Sequence, residues 1–508
     1  MTVGGATLDG VVSEHGLTLF ELVRELGNAT VRGDGGARVF GVHHDSRRIK
    51  KGDLFVARKG TTTDGTRFVD AAIANGASAV LARRNTIETA TVPLIEVDDI
   101  IDGLALASAA VYEHPSFGLE AIGVTGTNGK TTTTHLIASA LDGALSAQKC
   151  GLIGTVGFKF KDLVVEPTLT TPEADELARA MLAMRRRGAT HVAMEVSSIA
   201  LSLGRARAVR FQAAAFTNLT QDHLDFHGTM SDYGEAKSKL FTECSPGVAV
   251  ICIDGDFGRD LAGRVHTRVL RVSAKLGADA DVAPTELSLT ARGIVATVRT
   301  PQGLIGLRSP LVGAHNVENL TVALGVVCAL GVDVRMAADA LANELGAPGR
   351  LERCDTTADD VAVFVDYAHT PDALARVLDA VRTVATNRVI CVFGCGGDRD
   401  ATKRAPMGDA VAKRADLSVI TSDNPRTEDP AEIARPIEAA VRATGRPYEL
   451  ELDRAVAIAR TISNASPGDV IVIAGKGHED YQIVGTDKRH FDDREHAKRA
   501  LAKRRQGA

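Results

Sequence analysis

The stretch V-T-G-T-N-G-K-T-T-T-T, residues 124–134, sets two glycines, a lysine and a run of hydroxyls where a phosphate can be held. The common phosphate loop reads G-x-x-x-x-G-K-S/T, yet counting back five positions from Gly129 gives Val124. The preceding A-I-G-V-T is a short apolar strand, and K-T-T-T-T-H-L-I-A-S-A-L has the apolar spacing of a helix that begins there. A turn of Gly126, Thr127, Asn128 and Gly129 between them aims backbone N–H groups and a helix N-terminus at an anion. Lys130 then bridges outer phosphates, the hydroxyl of Thr131 reaches a magnesium ion, and Thr132 belongs to the same first turn.

Further cation ligands stand elsewhere. Glu195 closes the apolar run H-V-A-M-E, and His223 lies in Q-D-H-L-D-F-H-G soon after A-A-A-F. In a parallel sheet both fall near strand ends beside the loop, which makes them magnesium candidates. D-Y-G-E-A-K-S-K-L-F, residues 232–241, has the pattern of an amphipathic helix, on which residue type alone reads Lys237 as a solvated charge. Thr170 and Thr171, just before the helical pattern P-E-A-D-E-L, are suited either to cap that helix or to bind an acidic ligand. Ser46 and the hydroxyls of Thr61, Thr62 and Thr63 offer hydrogen-bonding groups to a polar ligand, or form a plain polar turn.

The elements that must position these groups are apolar runs closed by glycine and alternating with helical patterns, which predicts an α/β chain of parallel sheets. At 508 residues the length suits about three domains. Boundaries are expected near E-H-P-S-F and near G-A-P-G-R-L-E, giving 1–116, a central phosphate-loop domain over 117–346, and a Rossmann-like domain over 347–508. A net charge of −5 provides no global field for nucleic acid or an anionic membrane surface, and no apolar run is long enough to span a bilayer. Seven scattered cysteines indicate reduced thiols rather than a disulfide framework, and with no signal-like N-terminus the expected address is cytoplasmic. The sequence leaves the oligomeric state open, with a monomer slightly favoured.

T-G-T-N-G-K-T-T resembles the variant loop of the Mur ligases, which build the peptide of bacterial cell-wall precursors, and of their folylpolyglutamate synthetase relatives. The resemblance covers nearly the whole chain and implies that ATP phosphorylates a substrate carboxylate and an amine attacks the acyl phosphate. The D-H-L-D-x-H-G segment then makes His223 a magnesium ligand with Glu195 and Thr131, and Y-x-x-A-K makes Lys237 a lysine that takes up carbon dioxide as a carbamate, N6-carboxylysine. A neutral amine converted to an anionic carbamate supports magnesium, whereas an ammonium repels it. G-A-H-N-V-E-N-L and P-G-R-L-E imply ATP contacts at Asn319 and Arg350, and V-D-Y-A-H-T-P adds Asp366 and His369.

The terminal segments separate the members of the family. H-H-D-S-R-R-I-K-K-G-D-L-F is similar to the segment that binds the uridine end of the nucleotide-sugar, implying UDP-N-acetylmuramoyl-L-Ala-D-Glu contacts at His44, Ser46, Thr61, Thr62, Thr63, Thr170 and Thr171. E-V-S-S-I-A-L-S-L-G-R adds Ser197 and Arg205, but departs from the pattern at Ile199, usually His, and Leu203, often Gln. G-G-D-R, D-N-P-R and G-K-G-H-E resemble the diaminopimelate-adding branch through Arg399, Asp423, Asn424, Pro425, Arg426, Gly475 and Glu479. Two arginines match two carboxylates while Asp, Asn and Glu accept from ammonium groups, a set that complements meso-diaminopimelate better than lysine. A lysine-adding ligase, a folylpolyglutamate synthetase and, from the loop alone, a nucleotide switch without ligase chemistry are the alternatives.

Overall fold

The computed structural model describes residues 8–60, 63–167, 169–290 and 292–507. They form two compact units: Met1–Ala283 with Arg299–Leu304 and Asn319–Ala340, and Pro284–Val298 with Ile305–Glu318 and Leu341–Ala508.

Besides a two-stranded sheet that pairs Leu17–Thr18 with Arg38–Val39, the first unit carries two large sheets. The smaller has five strands in the order Thr30–Arg32, Leu94–Val97, Ala79–Arg83, Asp53–Ala57, Gly41–His43. Its strand D-L-F-V-A is buried along its whole length, and it pairs in parallel on both sides, as a continuous apolar run in a covered sheet should. The larger has eight strands in the order Leu163–Val165, Gly157–Phe160, Cys150–Gly154, His191–Glu195, Glu120–Thr125, Phe211–Phe216, Val248–Cys252, Arg268–Val272. Its six core strands are parallel, and the first two form an antiparallel edge.

Register decides where chemistry can occur. Val124 is level with Glu195 on one side and Thr125 with Phe216 on the other. Three adjacent strands therefore end together, and the loops that leave them share one crevice at the carboxyl edge. The helix Lys130–Ala144 leaves that edge and buries Leu136, Ile137, Ala140 and Leu141.

The second unit holds a six-stranded sheet in the order Glu352–Arg353, Ala362–Asp366, Val470–Ala474, Val389–Phe393, Leu417–Ile420, Tyr448–Leu450, parallel except for the first pair. Asp366 is level with Ala474, and Phe393 with Ile420. The turns that leave these four strands, Y-A-H, G-K-G-H-E, G-C-G-G-D-R and T-S-D-N-P-R, thus emerge at one edge. The α/β expectation is met in both units. All seven cysteines are free thiols, and no helix among the described residues is long and apolar enough to cross a membrane.

Candidate active site

In the first unit the loop 126–129 is built as the sequence implies. Gly126 has φ +148°, and a Cβ there would collide with Thr217 Oγ1, so the residue must be glycine. The segment T-N-L-T, directly after the strand Phe211–Phe216, braces the loop. Thr217 Oγ1 donates to Asn128 O at 2.7 Å, Asn128 N to Asn218 Oδ1 at 3.0 Å, and Asn128 Nδ2 to Thr220 Oγ1 at 3.1 Å. Thr127 N donates to Asn218 O and Thr127 Oγ1 to Thr220 O. Behind the loop, Thr133 Oγ1 donates to Asn319 Oδ1 at 3.2 Å, so Asn319 supports the first helical turn.

Two lysines converge on one carbonyl. Lys130 Nζ donates to Gly126 O and Thr127 O, each at 2.9 Å, and Lys237 Nζ donates to Gly126 O at 2.8 Å. Lys237 is 1% exposed, which corrects the expectation of a solvated helix charge. It lies on the buried face of the helix Met230–Thr242 with Tyr233, Leu240 and Phe241, its Nζ 4.2 Å from the centre of the Tyr233 ring. Burial first, and then the charge of Lys130, push its basicity well below that of an ordinary lysine. That is the state in which an amine can take up carbon dioxide.

Glu195, 1% exposed, receives three donors: Thr131 Oγ1 at 2.9 Å, Thr155 N at 2.7 Å and Thr155 Oγ1 at 3.3 Å. Thr131 and Glu195 are hard oxygen donors brought together at a strand end, a set that fits magnesium. His223 stands at the left-handed start of the short helix Leu224–His227, half exposed, with its ring 6.1 Å from Tyr233. Tyr233 is therefore a neighbour of both His223 and Lys237.

Thr170 and Thr171 do not cap the helix Ala174–Arg186. Its N-cap is Glu173, with no side-chain cap. Thr171 Oγ1 instead donates to Glu195 O at 2.9 Å and accepts from Ser197 N at 3.0 Å, while Arg205 Nη1 donates to Thr171 O at 3.2 Å. Thr170 Oγ1 accepts from Thr155 Oγ1 at 3.3 Å. Thr171, Ser197 and Arg205 are thus fastened to the backbone of Glu195 at the strand end. On the nucleotide side, Ser46 opens a turn capped by Asp45, and His44 Nδ1 lies 2.9 Å from Asp175 Oδ1. Burial alone would lower the His44 pKa, but the hydrogen bond and charge of Asp175 raise it. Asp175 is held well below the usual carboxylate range by His44, Arg179 and His43 despite its burial. Thr63 is described; Thr61 and Thr62 lie outside the described residues. Ile199 and Leu203, the two departures, are both half buried.

In the second unit the D-N-P-R turn is locked by charge. Asn424 Nδ2 donates to Glu479 Oε2 at 2.9 Å, and Asn424 Oδ1 accepts from Lys476 Nζ at 3.2 Å and from Ile483 N at 3.0 Å. Lys476 has no side-chain exposure and also lies 3.3 Å from Glu479 Oε2. With donors on one side and a carboxylate on the other, the amide has one orientation. Beneath it Asp423 is buried, and that burial raises its pKa against the pull of Arg454 and Lys476. Arg454 is itself clamped to Asp493 through Nε at 2.7 Å and Nη2 at 2.6 Å. Gly475 has φ +119°, and a Cβ would stand 2.6 Å from Asp423 Oδ2.

Arg426 has φ +53°, a left-handed conformation that costs a non-glycine residue about 1–2 kcal/mol. It is held there because Arg426 N donates to Ile483 O and Gly485 N to Arg426 O. Its Nη1 donates to Gly397 O at 2.8 Å, which joins D-N-P-R after Pro425 to the G-G-D-R turn, where Arg399 is exposed. Nearby, Asp366 accepts from Leu351 N and Ala368 N, both near 2.7–2.8 Å, and burial raises its pKa. Arg350 lies 5.2 Å above the Tyr367 ring, and among the described residues its buried Nε has no hydrogen-bond partner. His369 Nδ1 donates to Tyr367 O at 2.7 Å.

Motif reasoning missed Lys476, although it lies inside G-K-G-H-E; the T-N-L-T brace; Tyr233; and the carboxylates Glu173 and Asp175. Three polar residues among the four that follow an apolar strand were a usable signal for the brace. Glu173 and Asp175 read as ordinary acids at a helix start, which concealed them.

Models of known families match in three places: the Mur ligase family catalytic domain over residues 38–112, the Mur ligase middle domain over 124–327, and the Mur ligase glutamate ligase domain over 349–477. The chain is 46% identical over 470 residues to the UDP-N-acetylmuramoyl-L-alanyl-D-glutamate–2,6-diaminopimelate ligase of Gloeobacter violaceus, covering 92% of this chain and 94% of the relative. It is 44% identical over 474 residues to the enzyme of that name from Nostoc sp., covering 92% and 95%. A solved structure of a ligase of that name superposes with TM-score 0.72 at 33% identity, covering 97% of this chain and all of the other. With the phosphate loop, the buried lysine and the D-N-P-R turn in place, the chain belongs to the Mur ligase family.

Proposed function

We propose that this protein joins meso-diaminopimelate to UDP-N-acetylmuramoyl-L-Ala-D-Glu at the expense of ATP, a step in building the peptidoglycan peptide in the cytoplasm. The observation that carries this reading is the locked D-N-P-R turn. Asn424 is fixed between Lys476 and Glu479, and Arg426 is held under the G-G-D-R turn. That arrangement complements an ammonium and a carboxylate together.

In the reaction, an acceptor carboxylate oxygen attacks the γ-phosphorus of ATP, the bond to the β–γ bridging oxygen breaks, and ADP leaves. The amine then attacks the acyl carbon, loses a proton, and expels phosphate. Lys130, now on loop carbonyls, is proposed to swing onto the transferring phosphoryl group, and the N–H groups of the first turn of the helix Lys130–Ala144, rather than those of Thr127 and Asn128 that brace the loop, are proposed to hold the phosphates. Thr131, Glu195, His223 and a carbamate on Lys237 would hold magnesium, which supplies positive charge where two anions meet. Thr170, Thr171, Ser197 and Arg205 hold the peptide end of the acceptor, and His44, Ser46 and Thr61–Thr63 its uridine end. Asn319, Arg350, Asp366 and His369 are the proposed adenine-nucleotide contacts outside the loop. The division 1–116, 117–346 and 347–508 assigns these tasks to nucleotide-sugar, ATP and amino-acid domains.

Release of ADP from the purified chain, measured with each substrate omitted in turn, tests the reading. ADP must appear with a new amide only when acceptor and diaminopimelate are both present. ADP release independent of both would leave a nucleotide switch instead.

A further inference from the structure

We infer that Arg58 binds an oxyanion of the nucleotide-sugar acceptor, as one of two guanidinium groups, Arg58 and Arg205, that the single carboxylate of Glu173 holds in place. The inference rests on the acceptor reading above and adds a residue to it. Glu173 Oε2 accepts from Arg58 Nη1 at 2.9 Å, and Glu173 Oε1 lies 3.0 Å from Arg205 Nε. The three side chains are 11%, 22% and 11% exposed for Glu173, Arg58 and Arg205. Two cations on one anion leave a net positive charge where water reaches little of it, and such a charge is costly without a counter-ion.

The remaining donors are available for one. Among the described residues Arg58 Nε and Nη2 have no hydrogen-bond partner, and Arg205 Nη1 is committed only to the Thr171 carbonyl. Guanidinium edges left free in a half-buried place suit a phosphate or carboxylate. Their location fits as well. Arg58 directly follows the buried strand Asp53–Ala57 and is close enough to His44 for its charge to lower that ring's basicity. Arg205 is bonded to Thr171, which is bonded to Ser197. The pair therefore joins the segment assigned to the uridine end with the segment assigned to the peptide end, where the acceptor carries its diphosphate and its glutamyl carboxylates. Glu173, which orients both guanidinium groups, is a positioning residue.

Calorimetric titration of the full chain with UDP and with the complete acceptor, alongside steady-state kinetics, tests this. Arg58→Ala should weaken acceptor binding by about tenfold or more. It should raise the acceptor KM with little change in kcat, in ATP KM or in diaminopimelate KM. Arg58→Lys should recover part of the affinity. An equal loss for UDP identifies the diphosphate as the partner, and an unchanged UDP affinity identifies a peptide carboxylate. Unchanged acceptor affinity in folded Arg58→Ala overturns the inference, as does an equal rise of all three KM values with a lowered Tm. Should the alanine variant not fold, Arg58→Gln, which keeps a polar hydrogen-bonding side chain and removes the charge, decides by the same affinity. A wild-type protein that binds no nucleotide-sugar overturns the functional reading itself.

Discussion

The phosphate loop of the first unit and the D-N-P-R turn of the second solve opposite problems. The loop is made of glycine, hydroxyls and backbone, and its two cations rest on its own carbonyl oxygens. The D-N-P-R turn sits on fixed buried charge: Lys476, Asp423 and the Arg454–Asp493 clamp. A phosphoryl group in transfer carries charge that appears and departs, so its partners must be able to move. A zwitterion keeps its charges, and selecting it requires partners that cannot move, because an adaptable pocket would also accept lysine. Preorganisation is therefore placed in the backbone on one side and in side-chain ion pairs on the other.

The sharpest way to break this contrast is at the loop. Lys130→Ala should leave the fold intact by circular dichroism, since Lys130 Nζ bonds to the carbonyls of its own loop rather than to the core of the sheet, yet lower kcat by about a hundredfold or more. A folded variant with near-normal ADP release would show that the lysine's rest position is its working position.

A nearly equal loss is expected at Lys237, with a different remedy. Lys237→Ala removes the proposed anion beside magnesium, so activity should fall close to zero and return in part with millimolar acetate. Intact-mass and kinetic measurements at controlled carbon dioxide check it. Failure of every small carboxylate to restore turnover, together with an unmodified lysine in active enzyme, would assign Lys237 a different role.

Legibility in the sequence divides along the same line. The loop could be placed because it is local: an apolar strand, a glycine turn and a helix are adjacent in the chain. Glu195 could be placed because parallel strands end in register, as a βαβ pattern by itself implies. Lys237 taught the reverse lesson. Its position, four residues after Tyr233 and three and four before Leu240 and Phe241, is a core position; its residue type argued for solvent, and position decided. The support of the D-N-P-R turn was not legible, since Lys476, Arg454 and Asp493 are distant from Asn424 in sequence and each reads alone as a surface charge. The same holds for Glu173, whose two arginines come from segments more than a hundred and about thirty residues away.

The selectivity side can be sharpened at Arg426. Lysine in place of diaminopimelate would leave the guanidinium facing an ammonium. Loss of a desolvated charge pair costs about 2–5 kcal/mol, or roughly thirty to several thousandfold, and within that range diaminopimelate should be preferred by about a hundredfold or more in competition kinetics. Arg426→Ala should erase most of that preference by weakening diaminopimelate, without making lysine a good substrate. Comparable ligation of lysine by the wild type would favour the lysine-adding alternative.

The smallest effect expected lies at the His44–Asp175 pair, which shows that the first unit also contains fixed charge. Asp175 faces His44, His43 and Arg179, and His44 faces Asp175, Glu173 and the opposing charge of Arg58. The His44 pKa is raised above its ordinary 6.5 in the folded state. Its stabilisation is therefore complete below the unfolded value and is lost as pH rises through the folded one. Asp175, depressed in the fold, contributes above its unfolded pKa and loses that contribution only in acid. The pair is therefore fully formed in the mildly acidic range between the two unfolded values. Comparing Tm of wild type and His44→Gln at about pH 6 and about pH 8.5 should give a gap that is larger, by about a degree or two, at the lower pH. A gap that widens toward alkaline pH would mean that the neutral ring, rather than the ion pair, orders this segment, and the contrast between fixed and movable charge would then apply to the second unit alone.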